Sequence, residues 1–142
     1  NVQVQVITNA PQSGANPWGC ADYLNHRDDI LETGVDICEW NGSFSMHTKT
    51  ILIYERISSI GSFNWEMRSA YLDTEMMRLI DCPALIAILR DEAQQMMYEG
   101  KTISPDGVTV TGELYITPKV SATKQVLQSL LRIIVRPFRY VL

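Results

Sequence analysis

The chain has 142 residues, 46% of them hydrophobic and 20% charged, so it is long enough to bury one core and too short for two ordinary domains. Its formal net charge of −4 argues against bulk electrostatic binding of nucleic acid, which needs lysines and arginines clustered on one face. Three cysteines without zinc-ligand spacing are interpreted as reduced, buried thiols. The chain starts at Asn1, without an initiator methionine or a signal segment, and we interpret it as a piece of a longer protein.

The first half of the chain predicts strands around one helix. Valines alternating with glutamines predict a half-buried strand over residues 2–7. A loop rich in Asn, Pro, Gly and Ser follows, and a helix is predicted from about Asn16, with Pro17 in its first turn. The next strand, VDICEW, precedes the turn dipeptide Asn41-Gly42, which predicts a hairpin into the strand SMHTKTILIY.

The following residues continue the alternation of strands and helices. RISSIGSF predicts a strand, WEMRSAYLD a helical turn or an irregular segment, and TEMMRLID another strand. CPALIAILRDEAQQMMYEG predicts a helix with Pro83 at its start and Gly100 past its end. Residues 1–119 are therefore predicted to form one α/β unit, a mixed β-sheet flanked by helices.

Residues 120–142 predict a separate amphipathic basic helix, broken late by Pro137. Polar and basic residues recur there every three or four positions, at Lys124, Gln128, Arg132, Arg136 and Arg139. The segment is too short and too interrupted to span a bilayer. Two interpretations stay open: a helix that lies on a membrane surface, and a helix that docks on the body with its basic side solvated.

Four polar groups in the middle of the chain suit a phosphodiester substrate. Residues two apart on a strand share a face, so His47 and Lys49 point the same way, as do Ser62 and Asn64. If the two segments are neighbours, an imidazole, an ammonium, a hydroxyl and an amide converge. Lys offers a positive charge, Ser and Asn offer hydrogen bonds to phosphate oxygens, and His can attack phosphorus or protonate a leaving oxygen.

This pattern resembles the signature H-x-K-x(4)-D-x(6)-G-S-x-N of the phospholipase D superfamily. The positions that match are His47, Lys49, Gly61, Ser62 and Asn64, whereas Tyr54 stands where the signature has Asp. The surrounding sequence looks like the C-terminal half of a bacterial cardiolipin synthase-type member, and the resemblance covers nearly the whole chain. It implies a phospholipase D-like half-domain with His47 and Lys49 on a central strand.

The resemblance also implies roles for individual residues. The acid that orients the catalytic histidine matches Glu75, and Ser62 and Asn64 match the residues that bind the substrate phosphate. Trp65 either lines a path for the lipid or packs as an ordinary aromatic, and Arg68 either binds phosphate or forms a salt bridge. The implied chemistry needs neither a metal nor another cofactor.

The implied activity is that of a phosphatidyltransferase, which joins two phosphatidylglycerols into cardiolipin through a phosphohistidine and releases glycerol. Such chemistry needs two histidines, and His26 lies on a charged helical face, so the second must come from a missing N-terminal half or a symmetric partner chain. The isolated chain is therefore expected to be inactive unless it dimerises. The expected location is the cytoplasmic face of a bacterial cell membrane.

Two alternatives remain open at this point. The same site could hydrolyse a phosphodiester, of lipid rather than nucleic acid, with water as the acceptor. Alternatively, Tyr54 marks a degenerate copy kept for folding or lipid binding. In the family the Asp at this position supports the structure without contacting phosphate, so its replacement is expected to affect stability or alignment more than chemistry.

Overall fold

A computed structural model of the chain describes residues 2–14 and 16–141, with the side chains of residues 139–141 left out. The elements follow in the order β1 (Gln5–Asn9), α1 (Pro17–Glu32), β2 (Asp36–Trp40), β3 (Thr50–Ile53), β4 (Ile57–Gly61), α2 (Met67–Tyr71), β5 (Met77–Asp81), α3 (Pro83–Tyr98), β6 (Gly100–Ile103), β7 (Thr109–Thr111), α4 (Ala122–Ile134) and a 3-10 helix (Arg136–Val141). The predicted α/β class is confirmed.

The strands form two sheets. The larger has the order β1-β2-β6-β7, in which β1 and β2 are parallel and the other neighbours antiparallel, so it is the mixed sheet that was expected. The smaller sheet, β3-β4-β5, is antiparallel throughout. The hairpin predicted at Asn41-Gly42 is wrong, because β2 and β3 belong to different sheets.

The hairpin β6-β7 completes the larger sheet and has no counterpart in the sequence-based prediction. Its connection contains Pro105-Asp106-Gly107, a typical turn sequence. Gly107 has a φ of 82°, and the Asp106 carboxylate accepts a hydrogen bond of 3.0 Å from the backbone N–H of Val108. These turn residues between β-branched segments were the signal that could have revealed the hairpin.

The two longest helices begin where the sequence predicted. The Asn16 side chain caps α1 by accepting hydrogen bonds from the backbone N–H groups of Trp18 and Gly19, and Pro17 fills the first helical position. Pro83 starts α3 in the same way. Asn–Pro and Cys–Pro pairs set these starts locally, because proline needs no hydrogen-bond partner for an N–H there.

Strand β2 runs through the core and carries a buried carboxylate. Glu39 is 2% exposed, accepts a 2.9 Å hydrogen bond from the Tyr23 hydroxyl, and forms ion pairs of 3.3 Å with Arg27 and Lys101. Burial, followed by the charge of Glu39, raises the pKa of the Tyr23 hydroxyl, so Tyr23 stays a proton donor. This network joins α1, β2 and β6.

The three cysteines are free thiols. Cys38 is buried in β2, whereas Cys20 and Cys82 are partly exposed. Burial raises the pKa of both the Cys38 and the Cys20 thiols, which keeps them protonated and unreactive.

Tyr54 lies in the turn between β3 and β4, with a φ of 52° and a side chain that is 74% exposed. Apart from the glycines, it has the one positive φ in the described part of the chain. The left-handed region costs an L-residue with a bulky side chain about 1–2 kcal/mol, whereas Asn and Asp tolerate it. Arg90 donates a hydrogen bond to the carbonyl oxygen of Tyr54, which any residue at position 54 would retain.

Replacing Tyr54 by Asn is expected to raise the free energy of unfolding by about 1 kcal/mol, because Asn relieves the backbone strain. Thermal unfolding monitored by circular dichroism should show a melting temperature about 3 °C higher. The control Tyr54→Phe, which has no short polar side chain to bond the local backbone, should leave the melting temperature unchanged. Equal melting temperatures for the Asn and Phe variants would contradict the assignment of strain to this turn.

Candidate active site

The candidate site residues meet at one end of the smaller sheet. His47 and Lys49 directly precede β3, Ser62 and Asn64 directly follow β4, and Glu75 comes two residues before β5. Because neighbouring strands in this sheet are antiparallel, the start of β3, the end of β4 and the start of β5 lie side by side. The fold thus brings together residues that are up to 28 positions apart in the sequence.

His47 and Lys49 lie outside the regular strands, which corrects the expectation that they occupy a central strand. They belong to an extended segment that leads into β3, an edge strand of the smaller sheet. The backbone N–H of Gly61 donates a 3.2 Å hydrogen bond to the carbonyl oxygen of Lys49, so the pairing of β3 with β4 continues to this point. Lys49 therefore sits directly beside the G-S-x-N segment.

Gly61 of the motif is required by close packing between β4 and β5. A β-carbon at this position would lie 2.0 Å from the carbonyl oxygen of Met76 and 2.6 Å from the sulfur of Met77. A backbone oxygen cannot move aside for a methyl group. Glycine here keeps Ser62 against the start of β5, where the Ser62 N–H donates to the Met76 carbonyl at 3.0 Å.

Glu75 accepts two short hydrogen bonds from serines. The Ser62 hydroxyl donates to Oε2 at 2.5 Å, and the Ser69 hydroxyl donates to Oε1 at 2.6 Å. These bonds, together with the positive charges of Lys49 and Arg68, lower the pKa of the Glu75 carboxyl below its usual range. Glu75 is therefore an anion at neutral pH.

Ser69 was not predicted from the sequence, although it is buried and bonds two candidate site residues. Besides Glu75, its hydroxyl binds the backbone N–H of Asn64 at 3.3 Å. Its position on α2 ties that short helix to the site. A serine in a helix has many ordinary roles, so the residue type alone carried no signal.

The remaining predicted site residues are placed as follows. The His47 ring is exposed, and the Lys49 ammonium donates to the His47 carbonyl oxygen at 2.9 Å. In the described part of the chain, the oxygens of Glu75 do not contact His47, so their pairing stays a prediction. The Asn64 amide donates to Glu66 at 2.9 Å.

Trp65 and Arg68, which follow the motif, differ in their environment. Trp65 is 83% exposed, so it is not a packed aromatic. Arg68 forms a 3.0 Å ion pair with Asp73, which agrees with the salt-bridge interpretation. His26 lies on α1 and bonds Asp29 at 3.0 Å, as a histidine on a charged helical face would.

An asparagine outside the motif holds in place the segment that carries His47. The Asn9 amide donates to the carbonyl oxygen of Met46 and accepts from its N–H, both at 2.7 Å. Asn9 is the last residue of β1 and pairs with Trp40 of β2. It thereby connects the larger sheet to the residue before His47, across 37 positions of sequence that no local pattern links.

A shallow groove of about 330 Å³ opens beside Ser62. It is lined by Ile60, Gly61, Ser62, Met76, Arg78 and Ile80. An apolar groove with one cation at the edge of a polar site suits an amphipathic substrate. Within residues 2–14 and 16–141, no three His, Cys, Asp or Glu side chains are grouped so that they could hold a metal ion.

Comparison with known proteins agrees with this geometry. The family model described as cardiolipin synthase, PLD-like domain, matches residues 1–97. A cardiolipin synthase of Alkalihalophilus pseudofirmus is 44% identical over 48 residues, which cover 34% of this chain and 9% of that protein. Cardiolipin synthase C of Escherichia coli is 27% identical over 115 residues, covering 69% of this chain and 24% of that protein.

An uncharacterized protein of Helicobacter pylori is 27% identical over 111 residues, which cover 66% of this chain and 22% of that protein. The chain thus spans about a quarter or less of the length of these relatives. Because the family model matches more than half of its residues, the chain belongs to the family of cardiolipin synthase, PLD-like domains.

Replacing Asn9 by Ala is expected to free the backbone at Met46. Loss of the bond between the Met46 N–H and the Asn9 oxygen should speed hydrogen exchange of that amide by about tenfold. Amide exchange followed by NMR on the 142-residue chain measures this. As a matched control, Asn41→Ala removes a bond to Ile116 and should leave the Met46 amide unchanged. Equal rates of hydrogen exchange at the Met46 amide in the Asn9 variant and the wild type would contradict the role of Asn9 in holding this segment.

Replacing Ser69 by Ala is expected to raise the pKa of the Glu75 carboxyl toward its ordinary value, because one of the bonds that stabilise the anion is lost. The stability from a lowered carboxyl pKa is present above the unfolded-state pKa and disappears as the pH falls through the folded-state pKa. The stability deficit of the variant should therefore be largest at neutral pH and shrink in acid. NMR titration of the Glu75 carboxyl carbon measures this pKa. Ser129→Ala is the control and should leave the pKa of Glu75 unchanged. An unchanged titration midpoint in the Ser69 variant would contradict the prediction.

Proposed function

We propose that the chain supplies one half of the active site of a phosphatidyltransferase of the cardiolipin synthase type. The observation that carries this proposal is the meeting of Lys49, Ser62 and Glu75 at one end of the smaller sheet, in a chain that belongs to this family. An ammonium beside an anchored carboxylate and an exposed imidazole is a set of groups that can bind a phosphodiester and move protons around it. The enzyme would work at the cytoplasmic face of a bacterial cell membrane.

Lys49 is the proposed phosphate ligand. Its ammonium carries three protons, of which the His47 carbonyl takes one, so donors remain for a phosphate oxygen. Its positive charge offsets the charge that builds on the phosphoryl oxygens during transfer. Glu75, held in its charged form by the two serines, balances the charge of Lys49 when no substrate is bound.

His47 is the proposed general acid and base, the role that the family assigns to the motif histidine of the C-terminal half. A second histidine, from the missing N-terminal half or a partner chain, attacks the phosphorus of one phosphatidylglycerol and forms the nitrogen–phosphorus bond. Glycerol leaves with a proton from His47. His47 then takes the proton of the second phosphatidylglycerol's hydroxyl, whose oxygen attacks phosphorus and breaks that bond, giving cardiolipin.

Ser62 and Asn64 are the proposed hydrogen-bond donors to the substrate phosphate. In the structure, the Ser62 hydroxyl donates to Glu75 and the Asn64 amide donates to Glu66. A phosphate that takes the Ser62 proton must therefore displace Glu75 from it. Such an exchange would free a Glu75 oxygen for the imidazolium of His47, the pairing that the family resemblance implies.

Tyr54 supports the catalytic interpretation over that of a degenerate copy. It lies at the end of β3 opposite Lys49, in the exposed turn before β4. Replacing Asp by Tyr at this position therefore removes no group from the end of the sheet where Lys49 and Ser62 meet. The cost of the replacement falls on the backbone of the turn.

Replacing His47 by Ala in the full-length protein is expected to lower cardiolipin formation from phosphatidylglycerol vesicles by roughly a hundredfold or more, because proton transfer to glycerol is lost. His26→Ala, a histidine on α1 away from the site, is the matched control and should keep full activity. Product analysis by mass spectrometry distinguishes transfer, which yields cardiolipin and glycerol, from hydrolysis, which yields phosphatidic acid. Undiminished turnover in the His47 variant would overturn the proposal.

The need for two histidines gives a second check on the isolated chain. Alone, it should form cardiolipin only if it dimerises across the motif. Sedimentation velocity combined with the product assay measures both properties on one sample. A strictly monomeric chain that is active would contradict the two-histidine mechanism.

A further inference from the structure

Helix α4 turns an apolar face to solvent. The side chains of this face are 48% to 69% exposed, and they are Val126, Leu127, Leu130, Ile133 and Ile134. Phe138, in the 3-10 helix that follows, is also exposed. We refer to the five residues on α4 as the apolar face. Five large aliphatic side chains on one exposed helical stripe are more than a soluble surface ordinarily carries.

The opposite side of α4 is fixed against the body of the protein. Leu131 and Val135 are buried with Ala21 of α1. The polar stripe also docks there, since Gln128 donates to the Pro11 carbonyl at 2.7 Å. In the same way, Arg132 bonds the Asn25 side chain at 3.0 Å, and Lys124 bonds the Gln12 carbonyl at 2.5 Å. The stripe predicted as solvated or membrane-facing therefore turns largely inward, and the apolar face cannot rotate into the core.

The segment that carries the apolar face is basic. Residues 121–142 contain Lys124, Arg132, Arg136 and Arg139 and no Asp or Glu, in a chain whose net charge is −4. The side chain of Arg139 lies outside the described residues. A cleft of about 180 Å³ between α1 and α4 is lined by Asn25, Ser129, Arg132, Ile133 and Arg136. Arg132 and Arg136 thus line this cleft together with Ile133 of the apolar face, and the Arg132 guanidinium also donates to the Asn25 side chain and the Leu24 carbonyl oxygen.

We propose that α4 lies on an anionic phospholipid bilayer, with its apolar face among the acyl chains and a lipid phosphate in the cleft between Arg132 and Arg136. An exposed aliphatic face on a segment that carries cations and no acidic residue complements an anionic lipid surface. A second copy of the chain fits less well, because a symmetric contact would bring the same basic residues together. No described helix is long and apolar enough to cross a membrane.

The bilayer contact would lie near the candidate active site. The 3-10 helix after α4 packs against α2, which carries Ser69. Ser69 in turn bonds Glu75. The link between α4 and the lipid substrate rests on the proposed function, whereas lipid binding itself is measurable without turnover.

The test is co-sedimentation of the 142-residue chain with vesicles, either of phosphatidylcholine alone or of an equal mixture with phosphatidylglycerol. The chain should bind the mixed vesicles roughly tenfold more tightly than the neutral ones, and high salt should remove this difference. The double variant Leu130→Asp, Ile133→Asp should bind roughly tenfold more weakly than the wild type, because two anchoring side chains are lost. Arg136→Gln should weaken binding to the mixed vesicles and leave binding to the phosphatidylcholine vesicles unchanged.

The matched control is Ile88→Asp, which changes an exposed isoleucine on α3 and should leave binding unchanged. His47→Ala should also bind as the wild type does, so loss of catalysis and loss of lipid binding are distinguishable. Circular dichroism checks that each variant is folded. Wild-type binding by the double variant would overturn the proposal. The proposal would also be overturned if the wild type bound no vesicles and sedimentation showed that the double variant has a different oligomeric state from the wild type.

Discussion

The buried carboxylate of Glu39 constrains the rest of the fold. A charge at this depth is tolerated when it is paired, and breaking such a pair typically costs about 3–5 kcal/mol. Its partners Tyr23, Arg27 and Lys101 come from α1 and β6, so both elements must lie against β2. The neighbouring residue Trp40 pairs with Asn9, the last residue of β1. The position of the segment that carries His47 depends on this pairing, because Asn9 bonds the backbone of Met46.

The candidate site is assembled at the ends of three short antiparallel strands. Each strand alone would leave its flanking residues free to move, but close packing at Gly61 and the serine bonds to Glu75 hold two of the three segments together. The third segment, with His47, is held at its backbone, and its ring stays exposed. The candidate site thus combines a carboxylate held by two serines with an imidazole that is exposed on the surface of this chain.

Much of this could be predicted from the sequence, and the limits have physical causes. Residues at fixed spacing identified the motif, and proline and asparagine located the helix starts, because both signals are local. The division into two sheets and the bonds between Asn9 and Met46 depend on contacts between distant segments, which local signals do not reveal. Amphipathic spacing identified the apolar side of α4, but not which side faces the body. Lys124 and Gln128 bond backbone carbonyls of the loop before α1, and Arg132 bonds the Asn25 side chain. Spacing carries no information about such partners.

The packing of α4 on α1 also affects how the chain folds during its synthesis. Ala21 meets Leu131 and Val135, which are more than one hundred residues further along. Contacts of such separation form late, because a long loop must close first. During synthesis, α1 therefore leaves the ribosome with this side uncovered until more than one hundred further residues have followed. Over that interval the nascent chain exposes apolar surface that the folded chain buries, and such surface favours aggregation.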